Sequence, residues 1–222
     1  MTTIVKFTIT LIFSMLFVSC VFNTGVKGNG NVTTTERTVT EDFTKIEVAR
    51  GLDVYITQTD DTSISVEADE NLQDLITTEI NNSILKITAT ENIGTSKSKK
   101  VLVDVENIEL ISSSSGSDVY TSNTIKAENL KLQTSSGADL VADVATQNLE
   151  CDSSSGSDIK VSGKTSNISA NASSGSDINA RDLVAENGSA NASSGSDISV
   201  NVTKRLDSKS SSGGDIRNVS KN

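Results

Sequence analysis

The sequence predicts an all-β chain, a right-handed parallel β-helix (β-solenoid) with coils of about 20 residues. Three observations carry this reading. A pentad built on Ser-Ser-Gly-Ser-Asp recurs six times in the second half, an aliphatic residue follows it every time, and the first half alternates apolar with polar residues. Composition agrees: the chain has no Trp and no Pro, and only five Phe and two Tyr, so its interior must be filled by small aliphatic side chains. A thin, repetitive core suits that supply.

In chain order, residues 1–19 read as a signal peptide. Lys6 supplies a positive start, Phe7 to Val18 form an apolar run interrupted by Thr8, Thr10 and Ser14, and Ser19 directly precedes Cys20. The run is short of the roughly 20 residues that span a bilayer. The segment resembles a bacterial lipoprotein signal. That implies cleavage before Cys20, acylation of Cys20 and a lipid anchor to the membrane; the alternative is an ordinary cleaved signal with an incidental cysteine. Residues 20–35 lack a periodic apolar face and carry Gly25, Gly28 and Gly30 among Asn and Thr, the composition of a flexible tether.

Residues 36–105 form an N-terminal β region. Ile46 and Val48, then Leu52, Val54 and Ile56, alternate with polar residues, as do the stretches around Ile64, Leu85 and Val101. One stretch, Asp69 to Ile76, places Leu72, Leu75 and Ile76 at helical spacing and predicts a single turn across one end of the strands. Thr95 to Lys100 is a basic loop, read as a solvated turn.

Residues 106–222 are the repeat solenoid. Its pentads end at Asp118, Asp139, Asp158, Asp177, Asp197 and Asp215, spaced by 21, 19, 19, 20 and 18 residues. The following residues are Val119, Leu140, Ile159, Ile178, Ile198 and Ile216. Seven residues before the aspartate stand Leu132, Cys151, Ala170, Ala190 and Ser208, with Leu110 expected in that role in the first unit; nine before stand Leu130, Leu149, Ile168 and Leu206. One such unit cannot bury its apolar stripe alone, but stacked coils pairing in parallel at about 4.8 Å can. Glycine in every pentad fits a corner that needs positive φ, and Ser and Asp can bond to local backbone. The polar tail Arg217 to Asn222 is a candidate cap for the last coil.

Candidate chemistry is sparse. With no His in the chain, Cys151 lacks the usual activating base and reads as a small buried hydrophobe. The stacked aspartates suggest either turn residues or a Ca²⁺ column. The aliphatic directly after each Asp departs from the Ca²⁺-binding nonapeptide pattern, so the turn role is preferred. No catalytic residue, metal ligand or cofactor is assigned. A net charge of -10 excludes nucleic acid, whose binders need a basic footprint.

Phe43-x-x-Ile-x-Val-x-x-Gly-Leu-Asp-Val-Tyr-Ile-Thr-Gln58, then Val66-Glu-Ala-Asp-Glu-Asn-Leu72 and Ile84-Leu-Lys-Ile87, together with the Ser-Ser-Gly-Ser-Asp turns, resemble the head GIN domain family, also called auto-transporter adhesins or DUF2807-type domains. The resemblance covers about residues 36–220 and implies a parallel β-solenoid, frequent placement behind a lipoprotein signal, and no catalytic residues to carry over. The expected function is a non-enzymatic, lipid-anchored cell-envelope protein of the outer membrane: an adhesin or binding scaffold for an envelope or host-surface ligand. Val21-Phe-Asn-Thr-Gly follows Cys20 in place of an acidic surface-export motif, which leaves periplasmic and outward orientation open. Two alternatives are a polysaccharide-active β-helix enzyme using paired carboxylates and a self-associating structural module.

Overall fold

The computed structural model describes residues 25–220; the expected signal peptide and Cys20 lie outside them. Its strands are β1 (Val32–Arg37), β2 (Lys45–Val48), β3 (Asp53–Gln58), β4 (Ser63–Asp69), β5 (Ile76–Asn81), β6 (Ile84–Ala89), β7 (Lys99–Val105), β8 (Leu110–Ser114), β9 (Asp118–Ser135), β10 (Asp139–Ser154), β11 (Asp158–Ser173), β12 (Asp177–Ser193), β13 (Asp197–Ser210) and β14 (Asp215–Asn218). All belong to one 14-stranded sheet that winds into a solenoid.

From β9 to β14 the coils stack in sequence order and in parallel register. Asp139 pairs with Asp158 and Asp118, Asp177 with Asp158, and Asp197 with Asp177 and Asp215. Because strand residues alternate faces, in-register stacking turns every inward position into a column. One column runs Val54, Val119, Leu140, Ile159, Ile178, Ile198, Ile216. Another runs Leu85, Ile46, Ile111, Leu132, Cys151, Ala170, Ala190, Ser208, so side-chain volume falls from the N-terminal to the C-terminal end. Nearly all of these side chains are buried in one continuous apolar core.

Stack order and chain order part company at the N-terminal end. β2 pairs in parallel with β6 on one side and β8 on the other, and β3 likewise lies between β7 and β9. The coil of residues 45–58 is therefore sandwiched between a later half-coil, β6–β7, and the repeats. Antiparallel strands close this end: β4 on β7, β1 on β4, and β5 on β6. The expected turn near Leu72 is a single 3-10 turn, Glu70–Leu72, with Leu72 buried.

Two expectations need correction. The tether was expected to reach residue 35, yet Val26 bridges to Ile93 and β1 begins at Val32. The Asp69 carboxylate holds this lead-in: it accepts the Gly30 N–H at 2.8 Å and those of Lys97 and Ser98 at 3.0 Å. Gly28 passes so close that an added Cβ would lie 2.0 Å from Asp69 Oδ2. In the first repeat, Ile111 rather than Leu110 occupies the interior column; Leu110 pairs with Lys131 and is only half-buried. The extra residues of that unit fall after its aspartate, in a β-bulge opposite Val141 to Asp143.

Candidate functional site

The pentads form the corners of the coils. At each corner two successive residues have positive φ, for example Ser155 at 59° and Gly156 at 67°. The Ser117 N–H donates to the Ser114 carbonyl at 3.3 Å, closing the first as a tight turn. A Cβ on Gly116, Gly137, Gly156, Gly175 or Gly195 would meet nothing within 4 Å, so backbone conformation, not space, demands glycine there. The preceding serine adopts the same left-handed conformation without that freedom, a feature the sequence reading did not assign.

The fourth pentad residue points inward. Ser117, Ser157, Ser176 and Ser196 are fully buried, and their hydroxyls serve the corner. Ser176 Oγ donates to the Ser153 carbonyl and Ser196 Oγ to the Ala172 carbonyl, each at 2.8 Å in the neighbouring coil, while accepting the N–H groups of Ser173 and Ser193. Most of the motif is thereby accounted for by folding.

The fifth residue faces solvent. The aspartates stand in single file, and the file holds a seventh member: Asp53 pairs with Asp118, at the end of the corner Arg50-Gly51-Leu52, where Arg50 and Gly51 also have positive φ. Burial raises the Asp118 carboxyl pKa above its ordinary value; the Asp53 charge adds to this and Lys99 opposes it. Burial, then the Asp118 charge, raises Asp139. Beside this file Tyr55 and Tyr120 stack with ring centroids 5.2 Å apart. Single file puts each carboxylate in a different coil, and among the described residues no three or more acidic or Cys side chains converge as a metal site. Cys151 is fully buried, and burial, reinforced by Asp152 and Glu150, pushes its thiol pKa far up.

A long concavity lies on another face, before the corners. A groove of about 1070 Å³ is lined by the rows Asn129-Leu130-Lys131, Asn148-Leu149-Glu150, Asn167-Ile168-Ser169 and Asn187-Gly188-Ser189, with Asn107 to Glu109 at one end and Arg205 and Asp207 at the other. It crosses six coils, roughly 24 Å at about 4.8 Å per coil. Asparagines form its ladder: Asn148 donates to Asn129 at 2.8 Å, Asn167 to Asn148 at 2.9 Å, and Asn187 to Asn167 at 3.3 Å. Lys131 bridges Glu150 and Asp152, each at 2.8 Å, neutralising part of the charge at one end. Such an arrangement can bind through hydrogen bonds. The sequence reading missed the groove; its signal was the recurrence of Asn-x-Ser-Ala-Asn-Ala-Ser at residues 167–173 and 187–193.

The family model described as "Putative auto-transporter adhesin, head GIN domain" matches residues 42–221. Among solved structures, one titled a "putative adhesin" from Bacteroides fragilis superposes with a TM-score of 0.79 at 18% identity, covering 87% of this chain and 100% of that one. A "putative lipid binding protein" from Parabacteroides distasonis gives 0.65 at 20% identity over 88% and 97%. A "putative adhesin" from Parabacteroides merdae gives 0.65 at 18% identity over 87% and 98%. At these identities the likeness is one of fold. No curated protein matches the chain.

Proposed function

Since the chain belongs to the head GIN domain family, we propose that it is a non-enzymatic, lipid-anchored cell-envelope protein that presents a rigid binding surface, as an adhesin or binding scaffold. The observation that carries this reading is the groove, whose asparagine row repeats in register across four coils. A surface of that form offers many equivalent weak contacts to an extended ligand, and their sum gives affinity without a unique constellation. Catalysis needs the opposite, a few groups with distinct roles at one place, and the repeated aspartates are spread one to a coil. The hydrophobic start of the chain and Cys20 supply the anchor under this reading, with the outer membrane as its address.

Fractionation and protease shaving test it together. Wild-type protein is expected with the membranes and Cys20→Ala in the soluble fraction. Protease added to intact cells is expected to remove an outward-facing domain. Membrane association of Cys20→Ala refutes the lipid anchor. Full protection in intact cells, with cleavage after outer-membrane permeabilisation, refutes adhesion and leaves a periplasmic scaffold.

A further inference from the structure

On a chain of net charge -10, one side of two neighbouring coils, residues 167–173 and 187–193, presents no charge to solvent. In the second half of β11 the outward positions are Asn167, Ser169, Asn171 and Ser173, and the second half of β12 repeats them as Asn187, Ser189, Asn191 and Ser193. The first pair of columns lines the groove, and the second pair lines an adjoining depression of about 510 Å³. The pattern does not serve the core, which is filled from the alternate positions Ile168, Ala170 and Ala172.

These side chains hold one another in place. Asn191 donates to Asn171 and Asn171 to Asp152, both at 2.9 Å, parallel to the Asn187-Asn167-Asn148-Asn129 ladder, and Ser189 meets Ser169 at 3.3 Å. An amide in such a ladder spends one N–H and one lone pair on its neighbours and keeps the others for a ligand. Side chains already fixed lose little entropy when a ligand arrives.

We infer that this face binds a linear neutral glycan lying along the solenoid axis. Three properties select that class. Uncharged rungs that both donate and accept match hydroxyls, and an acidic protein disfavours a polyanion. The coil backbone is already paired on both sides along β10 to β12, so a peptide cannot add as a strand. An extended peptide also repeats its faces every two residues, about 6.7 Å, against rungs about 4.8 Å apart, and falls out of step. A sugar chain advances by close to one rung per ring across a 1,4 linkage. The inference rests on the binding-scaffold reading and names its ligand.

The test is titration calorimetry of the purified protein with cellohexaose, xylohexaose and mannohexaose, and with oligogalacturonate as the anionic counterpart. At least one neutral hexasaccharide is expected to bind. Asn167→Ala with Asn187→Ala is expected to weaken it by about tenfold or more, at an unchanged melting temperature. Ser169→Glu, which leaves the amide ladder intact, is expected to do the same. Asp158→Asn, on the corner file, is expected to bind as the parent does. Failure of all three neutral glycans to bind, preference for the anionic one, or retained affinity in Ser169→Glu overturns the inference. Cell attachment that soluble protein still competes away in that event leaves the scaffold reading standing with a different ligand.

Discussion

Replacing Ser157 by Ala tests whether the pentad serine is a folding device. Its hydroxyl oxygen lies 2.8 Å from the Ser154 carbonyl, 2.9 Å from Thr134 Oγ1 and 3.0 Å from Ser153 Oγ, and it accepts the Ser154 N–H at 3.3 Å. Thr134 and Ser153 also bond to each other at 2.8 Å, and Ser153 reaches the Ser157 carbonyl, so both keep partners in the variant. The part-buried backbone N–H and carbonyl of Ser154 lose the hydroxyl as a partner at this corner, and two hydrogen bonds at about 0.5–1.5 kcal/mol each are together worth about 1–3 kcal/mol. The corner at Ala138 shows that the turn forms without the hydroxyl: Ser136 and Gly137 have φ of 56° and 69°, within a few degrees of Ser155 and Gly156. The variant therefore folds, and its deficit reads as stability. Equilibrium urea unfolding is expected to show a midpoint shift worth about 1–3 kcal/mol at constant m-value. A loss below about 0.5 kcal/mol, the range of an inconsequential surface change, would refute the claim that burial of this hydroxyl holds the corner.

Leu132→Ala, in the middle of the tapering interior column, is expected to cost about 2–5 kcal/mol by cavity formation, and Ala170→Leu about 1–3 kcal/mol by overpacking; urea midpoints check both, and tolerance of the leucine contradicts a tight C-terminal core. The raised carboxyl pKa values of Asp118 and Asp139 favour the protonated folded state, so their contribution to stability is present below about pH 3.8 and is lost as pH rises through the folded values. Asp118→Asn with Asp139→Asn should melt higher than the parent at pH 7, with the gain gone at pH 3. Asp69 has the opposite sign. Burial alone would raise its pKa, but the N–H groups of Gly30, Ser98 and Lys97 and the Lys97 charge outweigh that, so its contribution is present at neutral pH and lost as pH falls through its depressed value. Asp69→Ala should speed hydrogen exchange at Gly30, Lys97 and Ser98 with the repeats unaffected. Melting temperatures in Ca²⁺ and in EDTA should coincide, because the aspartates stand in file and do not converge; a Ca²⁺-dependent rise would reinstate the metal column.

The coil period, the aliphatic after each aspartate and the period-two strands were legible because they are local: spacing along the chain and alternation of side chains are properties of the covalent sequence. The corner at Arg50-Gly51-Leu52-Asp53 hid its place in the aspartate file. It lacks the serines, and β4 to β8 separate it from its spatial neighbour Asp118. β1 hid too, since Val-Thr-Thr-Thr is β-branched without apolar alternation and so carried no burial signal.

What the sequence by itself determined is the repeating unit: a strand, a left-handed corner and a strand whose apolar stripe needs a neighbour. Only the tertiary structure decided which neighbour. It placed β2–β3 between β6–β7 and β8–β9 against chain order, and docked residues 25–31 along residues 69–71 and 92–95. It also lined up asparagines 19 and 20 residues apart into one groove. The reason is that hydrogen bonding between coils depends on register and not on sequence distance, so a face made of one residue from each coil exists only once the coils are stacked.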